Sequence, residues 1–353
     1  MKGRISQLTN QNHFVPQFYL RLWSMDGKSV WVYKTLVANE NVPIWEEKSI
    51  RKIAFRRHLY TQLNDSSESD EFEHWINREF EIPASLVIQK VLNNSRLTSG
   101  DWHILIKFLA AQDVRTPLSY IKSINSSQEY LPGLLQKVTA EAVKKLETAQ
   151  KAGLSLPHIS EDHSSPLPLR VTKHIKADDE FGFLKAEIVN GRALWLYNIK
   201  HLLSSTIRAL LQHRWTILHA PDAVEWVTSD APVVKVKEDK YRKWDFSGAW
   251  ATPNTAIMLP LGPKHLLFTE CGRRPPIRGT ALPIQRALRY QEFFVKHSHR
   301  MIFATQPTDI SKLHVRTVDA TLVKQENEIW QNWHTSQTKI ELEVLNAQDT
   351  PDI

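Results

Sequence analysis

Ala-Ile-Met-Leu-Pro-Leu-Gly-Pro-Lys-His-Leu-Leu-Phe-Thr, residues 256–269, is the stretch that decides how the C-terminal half of this chain folds. Two apolar runs, 256–261 and 265–269, lie on either side of the turn residues Gly262 and Pro263. Apolar runs of strand length separated by a Gly-Pro turn are typical of a β-hairpin. The stretch therefore predicts two adjacent antiparallel strands.

Other segments of the chain also have the composition of strands. Residues 29–34 are rich in β-branched and aromatic side chains and follow the turn dipeptide Asp26-Gly27. Residues 224–228 and 233–236 flank a turn at 229–232, and residues 301–304 form a short apolar run. We expect a mixed, largely antiparallel sheet to which the N-terminal and C-terminal parts of the chain both contribute.

The middle of the chain has helical periodicity. Apolar residues recur at helical spacing in residues 70–92, 101–115, 134–151 and 194–218. Asp101 is the predicted N-cap of the second helix, Thr116-Pro117 its predicted end, and Gly153 the predicted end of the third. The sequence thus predicts an α+β protein with a helical middle.

The length of 353 residues fits about two domains by the usual figure of roughly 150 residues each. We expect an N-terminal strand and helical region at 12–153, a linker rich in Pro, Ser, His and Asp at 154–180, a helix and strand-rich region with a basic segment at 181–310, and a C-terminal extension at 311–353. One composite domain built from all these parts is the alternative.

The composition indicates a folded protein of the cell interior. Hydrophobic residues make up 42% of the chain, which excludes a fully disordered protein. Cys271 is the single cysteine, so an intramolecular disulfide or a multi-cysteine metal centre is excluded. We find no secretory signal and no apolar stretch of membrane-spanning length, and we therefore expect a cytoplasmic location and no membrane partner.

Charge is distributed unevenly along the chain, although the formal net charge is only +7. Residues 271–300 are strongly basic, with Glu292 as their single acid, whereas residues 61–81 are acidic. A basic surface attracts polyanions, so we expect RNA or DNA as a partner. The predicted nucleic-acid-binding residues are Arg273, Arg274, Arg278, Arg286 and Arg289. The alternative is an ordinary solvated face.

The chain lacks the phosphate-binding loop, the dinucleotide glycine fingerprint and the common hydrolase motifs, so chemistry must be sought in misplaced polar residues. Glu79 falls on the apolar stripe of the first predicted helix. Gln112 interrupts the stripe of the second helix in the same way, and Arg115 follows it. Two such helices would converge on an internal polar site in which Arg115 binds phosphate or carboxylate. A buried Glu79–Arg115 ion pair without chemistry is the alternative.

Other polar residues each allow a functional and a structural interpretation. Glu73 has capping-box spacing from Asp70 and would then only satisfy the helix start. His13, beside Gln17, is either a general base or metal ligand, or a packed histidine near the chain start. Asp230 either forms a turn or delivers an acid to a cleft. His297 and His299 would share a strand face and are a weak metal signal.

The stretch near the start of the chain is similar to a known family. His13-Phe14-Val15-Pro16-Gln17-Phe18-Tyr19-Leu20-Arg21 resembles the opening motif of the bacterial family catalogued as domain of unknown function 4238. Further similar pieces follow in the expected order: the acids Glu73 and Glu79, the hexapeptide 112–117, the heptapeptide 226–232 and the pentapeptide 259–263. The family has no settled activity. The resemblance implies that His13, Gln17, Glu79, Arg115 and Asp230 form one recurring arrangement.

A base, acids and an arginine beside a basic surface favour nuclease-like phosphodiester hydrolysis on RNA or DNA, by analogy in a bacterial defence or toxin setting. Glu79 and Asp230 would either hold Mg²⁺ or Mn²⁺ or act as acid/base partners. A non-catalytic nucleic-acid-binding or protein-interaction module is the first alternative. A hydrolase or transferase for a small phosphorylated or nucleotide substrate is the second. A protein partner or a homo-oligomer stays open.

Overall fold

The computed structural model describes residues 8–64, 67–154, 169–175, 182–238 and 243–346. This part of the chain combines helices with antiparallel sheets, so the predicted α+β class is confirmed. Most of the predicted linker, residues 155–168 and 176–180, lies outside the described residues, as do residues 347–353 of the predicted C-terminal extension. None of the helices in the described residues is long and apolar enough to cross a membrane.

The helices of the described residues dominate the middle and the C-terminal end. In chain order they are α1 (Gln17–Leu20), α2 (Glu71–Ile76), α3 (Ile82–Leu92), α4 (Ser99–Val114), α5 (Pro117–Lys151), α6 (Arg192–His201), α7 (Arg208–Leu211), α8 (Ile284–His297) and α9 (Ala320–Asn346). Two π-helical turns, Asn77–Glu81 and Leu202–Thr206, join α2 to α3 and α6 to α7. Short 3₁₀ turns cover Arg21–Trp23 and Ile50–Lys52.

The strands of the described residues are short. In chain order they are β1 (Gln11–His13), β2 (Ser29–Lys34), β3 (Leu36–Val37), β4 (Trp45–Ser49), β5 (Phe55–Arg57), β6 (Gln62–Asn64), β7 (Ser67–Ser69), β8 (Leu169–Ile175), β9 (Gly182–Ile188), β10 (Thr216–His219), β11 (Thr228–Ser229), β12 (Val234–Glu238), β13 (Trp244–Asp245), β14 (Thr255–Pro260), β15 (His265–Glu270), β16 (Met301–Ala304) and β17 (Thr317–Val318).

Two antiparallel sheets form the centre of the molecule. The larger has the strand order β10-β15-β14-β12-β13, and β14 pairs with β15 as the predicted hairpin, with Met258 opposite Phe268. Gly262 in its turn has a φ of +138°, which only glycine adopts readily. The smaller sheet has the order β11-β16-β2-β4, so strands from both ends of the chain share it, as predicted.

The larger sheet lies between two apolar layers because its strands alternate their side chains. Ile257 and Leu267 face one core together with helices α1, α3, α4 and α6. Met258 and Phe268 face a second core, which they share with α8 and with residues of the smaller sheet. Every residue of β14 is buried, as expected for a strand that is covered on both faces.

Several predicted boundaries are wrong. Thr98, not Asp101, caps α4, and Asp101 instead completes a capping box with it. Thr116-Pro117 starts α5 rather than only ending α4, because proline is well accommodated in the first turn of a helix. The helix predicted for 194–218 ends at Leu211, and its last residues form β10. His297 is the last residue of α8 and not part of a strand.

Candidate functional site

Arg115 lies at the centre of a buried polar cluster, which we call the Arg115 cluster. Its side chain is completely buried and forms an ion pair with Glu81. Its Nε also donates to the carbonyl oxygen of Phe14 at 3.2 Å. With its amide oriented to suit both groups, Gln112 accepts from Nη2 and Nε of Arg115 at 2.9 and 3.0 Å. Because these partners occupy the guanidinium, Arg115 links the segments that contain Phe14 and Glu81 and is not free to bind a phosphate.

Glu81, not Glu79, is the carboxylate that turns inward, so the prediction that Glu79 lies on the buried stripe is wrong. The side chain of Glu79 is 41% exposed and pairs with Arg78, whereas that of Glu81 is 16% exposed. The physical reason is the π-helical turn Asn77–Glu81. Its wider turn shifts the phase of all following residues and brings positions 80 and 81 to the buried face.

Glu73 lies beside the Arg115 cluster and does not cap its helix. Asp70 makes no side-chain cap bond, and the Oε2 atom of Glu73 is buried without a hydrogen-bond partner. Burial raises the pKa of Glu73 to about 8, while the nearby Arg115 acts in the opposite direction. The capping-box prediction is therefore wrong, and a neutral carboxyl group adjoins a buried ion pair.

His13 and Gln17 lie at the edge of the same cluster. Gln17 Nε2 is 3.5 Å from His13 Nε2, and the His13 ring is 5.5 Å from that of Phe55. Burial lowers the pKa of His13, Glu81 raises it and Arg115 lowers it further. The structure thus brings together His13, Gln17 and Arg115 of the predicted arrangement. None of the three cavities described below is lined by these residues.

Asp230 occupies a different place. Its carboxylate accepts hydrogen bonds from the backbone N–H groups of His299, Arg300 and Met301 at 2.9, 2.7 and 3.0 Å. Burial raises the pKa of Asp230 to about 6 although these three bonds oppose the change. Within the described residues no hydrogen bond or ion pair joins Asp230 to the Arg115 cluster or to Glu79. The predicted metal pair Glu79 and Asp230 is therefore not assembled.

The basic segment is more neutralised than its sequence suggests. Arg273 pairs with Glu270 at 2.9 Å, and Arg289 lies 3.8 Å from Glu292. Arg278 donates to the backbone oxygen of Ser95 at 2.6 Å. Arg274 and Arg286 are exposed, and neither side chain makes a hydrogen bond or an ion pair within the described residues. Of the five predicted arginines, Arg274 and Arg286 are thus the two whose exposed side chains are free to contact an external anion.

A cavity of about 630 Å³ lies where α4, the first half of α5, α6, β12 and the end of α8 meet, and we call it the lysine cavity. Its wall combines charged, hydroxyl and apolar side chains. It is lined by Gln112, Asp113, Val114, Thr116, Leu118, Ser119, Lys122, Ser123, Ser126, Tyr130, Asn198, His201, Leu202, Thr206, Ala209, Ala231, Val233, Lys235, Ala249, Trp250, Ala251 and His297. A concave site of this size with a few polar groups is the usual form of a small-molecule pocket.

The charges of the lysine cavity leave one cation without a close partner. Asp113 Oδ2 accepts from Lys235 Nζ and from Trp250 Nε1, both at 2.6 Å. The ammonium group of Lys122 makes no hydrogen bond or ion pair within the described residues. Partial burial lowers the pKa of Lys122, and the neighbouring Lys235 lowers it further, whereas Asp113 raises it. The cavity therefore carries an excess of positive charge.

His297 completes the polar wall of the lysine cavity. Its Nδ1 lies 3.3 Å from the backbone oxygen of Ala231, which can only accept, so Nδ1 carries the proton and Nε2 keeps its lone pair. Burial lowers the pKa of His297 to about 4, and Lys122 contributes in the same direction. The ring is therefore a neutral base at pH 7. Asp230 fixes the backbone directly after α8 and so positions this histidine.

The start of α5 adds a further positive influence. Thr116, Leu118 and Ser119 of its first turn line the lysine cavity, and Thr116 Oγ1 accepts from the Ser119 N–H at 3.2 Å. The N-terminus of a long helix attracts anions because the positive end of the helix dipole lies there. Arg115 directly precedes Thr116, and its buried contacts fix the position at which α5 begins. Of the motif 112–117, Gln112, Asp113, Val114 and Thr116 line the lysine cavity, whereas Arg115 and Pro117 do not.

A second cavity of about 320 Å³ shares Leu118, Lys122 and His297 with the first. Lys296, His299 and Arg300 also line it, and Lys296 is paired with Glu292 at 2.6 Å. Arg300 is neutralised by an ion pair with Glu326. Burial lowers the pKa of His299 to about 4. Lys122 and His297 therefore stand between two adjoining cavities. A third cavity lies along the second half of α5 and β9.

Sequence reasoning did not identify Asp113, Lys122 and Lys235 as site residues. Lys122 lies in a polar stretch without an interrupted apolar stripe, and Lys235 alternates with valines in β12 as any solvent-facing residue would. One usable signal existed, because Asp113 and Ala231 belong to the two motifs that carried the family resemblance. The contact between these motifs depends on the tertiary structure.

The fold defines an α+β protein in which helices cover a central antiparallel sheet, and the cavity lies at their junction. A family model described as Protein of unknown function (DUF4238) matches residues 11–337. The chain therefore belongs to this family, as the resemblance in its sequence predicted. Neither the curated proteins nor the solved structures contain a match to the chain.

Proposed function

We propose that the protein is a hydrolase that binds a phosphate-bearing substrate of nucleotide size in the lysine cavity. The observation that supports this function is the combination of the unpartnered Lys122, the Asp113-bound Lys235 and the neutral His297 around one cavity of about 630 Å³. Ammonium groups and a helix N-terminus together favour a phosphate group. The apolar side chains of Leu202, Val233 and Trp250 suit the remaining, less polar part of such a ligand.

The chemistry assigned to this site is the hydrolysis of a phosphate ester. Nε2 of His297 accepts a proton from water as the water oxygen attacks phosphorus. The ester P–O bond breaks, and the same proton passes from the imidazole to the leaving oxygen. Lys122 stabilises the charge that develops on the non-bridging oxygens. The His297 Nδ1–H bond to Ala231 keeps the ring in the required tautomer.

Nuclease action on RNA or DNA is a second candidate, which the exposed side chains of Arg274 and Arg286 favour. In that case a strand of nucleic acid would follow the basic segment and place one nucleotide in the lysine cavity. Mg²⁺ or Mn²⁺, if required, would enter with the substrate phosphate beside Asp113. A cytoplasmic location and a defence role in bacteria remain parts of this proposal, the latter by analogy alone.

The test uses the purified full chain with inorganic phosphate, nucleoside monophosphates and a chromogenic nucleotide phosphodiester. Each assay is run with Mg²⁺, with Mn²⁺ and with EDTA. Lys122→Gln and His297→Ala are the test variants, and Lys145→Gln, an exposed lysine farther along α5, is the matched control. We expect binding to fall in Lys122→Gln, and turnover to be lost in His297→Ala while binding is retained.

Two outcomes would overturn the proposal. The first is an absence of both binding and turnover with every ligand and metal condition. The second is binding that Lys122→Gln and Lys145→Gln leave equally unchanged. Binding that depends on Lys122 but is never followed by turnover would favour a non-catalytic module instead.

The two candidates are separated by the joint reversal Arg274→Glu and Arg286→Glu. A small substrate should be hydrolysed by this variant as by the unchanged protein. Labelled RNA or DNA, single-stranded or double-stranded, should be bound and cut more weakly by it, with a reduced dependence on salt. Equal behaviour of the two proteins toward nucleic acid would remove the nuclease candidate.

A further inference from the structure

We propose that His58, Glu68 and His334 bind one divalent transition-metal ion, with Zn²⁺ as the best fit, at a site that is independent of the lysine cavity. One ligand atom from each of these three residues lies within 4.8 Å of the other two. His58 follows β5, Glu68 lies in β7 and His334 lies in α9, so three distant segments of the chain meet there. All three residues are partly exposed, which leaves a path for an ion.

The donor set determines the class of metal. Two imidazole nitrogens with one carboxylate are typical of zinc and of its neighbours in the first transition row, whereas Mg²⁺ and Ca²⁺ prefer oxygen ligands. Three protein ligands leave one position of a tetrahedron for water. The two nitrogen ligands distinguish this site from the oxygen-only pair Glu79 and Asp230, at which the sequence suggested Mg²⁺ or Mn²⁺.

The present side-chain arrangement is close to a coordinating one. His334 Nε2 lies 2.9 Å from Glu68 Oε1, and the rings of His58 and His334 stack with centroids 4.0 Å apart. Thr61 Oγ1 lies 3.2 Å from His58 Nδ1, which leaves Nε2 of that ring available. Tetrahedral zinc holds its nitrogen ligands roughly 3.3 Å apart. Metal binding would therefore require the two stacked rings to rotate about their side-chain bonds so that both lone pairs face the ion.

The guanidinium of Arg192 lies beside this group, and its charge is already compensated. Its Nη1 lies 3.5 Å from His334 Nδ1, but its Nε and Nη2 donate to Glu341 at 3.0 and 2.7 Å. When Nε2 of His334 binds the metal, the ring proton moves to Nδ1. Arg192 then keeps Glu341 and the backbone oxygen of His58, at 3.4 Å, as its partners.

A metal at this position would fasten α9 to the N-terminal part of the chain. Without it, α9 is held by the Arg192–Glu341 pair, by the Arg300–Glu326 pair and by Trp333, whose Nε1 donates to the backbone oxygen of His58 at 3.1 Å. An ion that binds only the folded arrangement raises stability by mass action. Metal binding is therefore expected to raise the melting temperature.

The experiment titrates metal-free full-length protein with ZnCl₂ in a calorimeter and repeats the titration with Co²⁺, followed by its visible absorption. The variants are His58→Ala, His334→Ala and the milder Glu68→Gln. His103→Ala, an exposed histidine of α4, is the matched control. We expect one ion per chain, tetrahedral Co²⁺ absorption, and an affinity at least about tenfold lower in each ligand variant but not in the control. Circular dichroism establishes that each variant is folded.

Absence of stoichiometric binding would overturn the proposal. So would binding that all three ligand variants leave unchanged, or a cobalt spectrum typical of six oxygen ligands. If an alanine variant fails to fold, Glu68→Gln decides, because this residue lies in a short hairpin at the surface. The result is independent of whether the protein hydrolyses phosphate esters.

Discussion

Lys235 Nζ and Asp113 Oδ2 lie 2.6 Å apart and join strand β12 to helix α4 at the wall of the lysine cavity. Trp250 Nε1 donates to the same carboxylate oxygen, so Asp113 organises two sides of the wall. The pair neutralises Lys235 and leaves the charge of Lys122 uncompensated. A ligand that brings negative charge is therefore the natural complement of this cavity.

Lys122→Gln should weaken the binding of inorganic phosphate and of nucleotides by about tenfold or more, since a hydrogen bond to a charged group contributes roughly 1.5–3 kcal/mol. Isothermal titration calorimetry measures this effect. The free energy of unfolding should change little, because the side chain of Lys122 has no hydrogen bond or ion pair in the described residues. A loss of stability as large as the loss of binding would contradict the assigned role.

The His297 imidazole should titrate near the value of about 4 in the free protein, well below an ordinary histidine. A bound phosphate adds negative charge beside the ring and favours its protonated form, so the pKa should rise on binding. Nuclear magnetic resonance of the ring protons with and without phosphate gives both values. A pKa that stays the same when phosphate is bound would place the anion elsewhere.

Arg115→Met should destabilise the protein by about 3–5 kcal/mol, because it leaves the buried carboxylate of Glu81 without its cation. Glu79→Gln should leave the free energy of unfolding unchanged, since this side chain pairs with Arg78 at the surface. Urea denaturation of the two variants tests the assignment. An equal effect of both substitutions would restore Glu79 as the internal acid.

Glu73 should make stability depend on pH. Its pKa is about 8 in the folded protein and 4.5 in the reference state, so the folded protein retains a proton that the unfolded chain loses between these values. The contribution is fully present below pH 4.5 and is lost as pH rises toward 8, by at most about 1.4 kcal/mol per pH unit. Glu73→Gln should remove this slope. Urea denaturation from pH 5 to 8.5 provides the comparison, and an unchanged slope would assign it to another group.

The elements that could be predicted from the sequence are those with a strong local pattern. The hairpin of β14 and β15, the strand β2 and the helical stretch from Glu71 to Leu92 were all recognisable from periodicity and turn residues. Asp101 is not the N-cap of α4, because Thr98, three residues earlier, takes that place and Asp101 closes the capping box with it. The helix predicted for 194–218 extends too far and includes most of β10, because the apolar residues there suit either a helix or a strand.

By itself, the sequence determined the α+β class, the family and the contribution of both chain ends to one sheet. Only the tertiary structure decided which acid faces Arg115 and which lysines face a cavity. The choice of Glu81 over Glu79 depends on one π-helical turn, which changes the phase of the helix without changing its composition. Lys122, Lys235 and His297 line one cavity because separate elements pack around the sheet, and proximity between residues at least 62 positions apart leaves no local pattern.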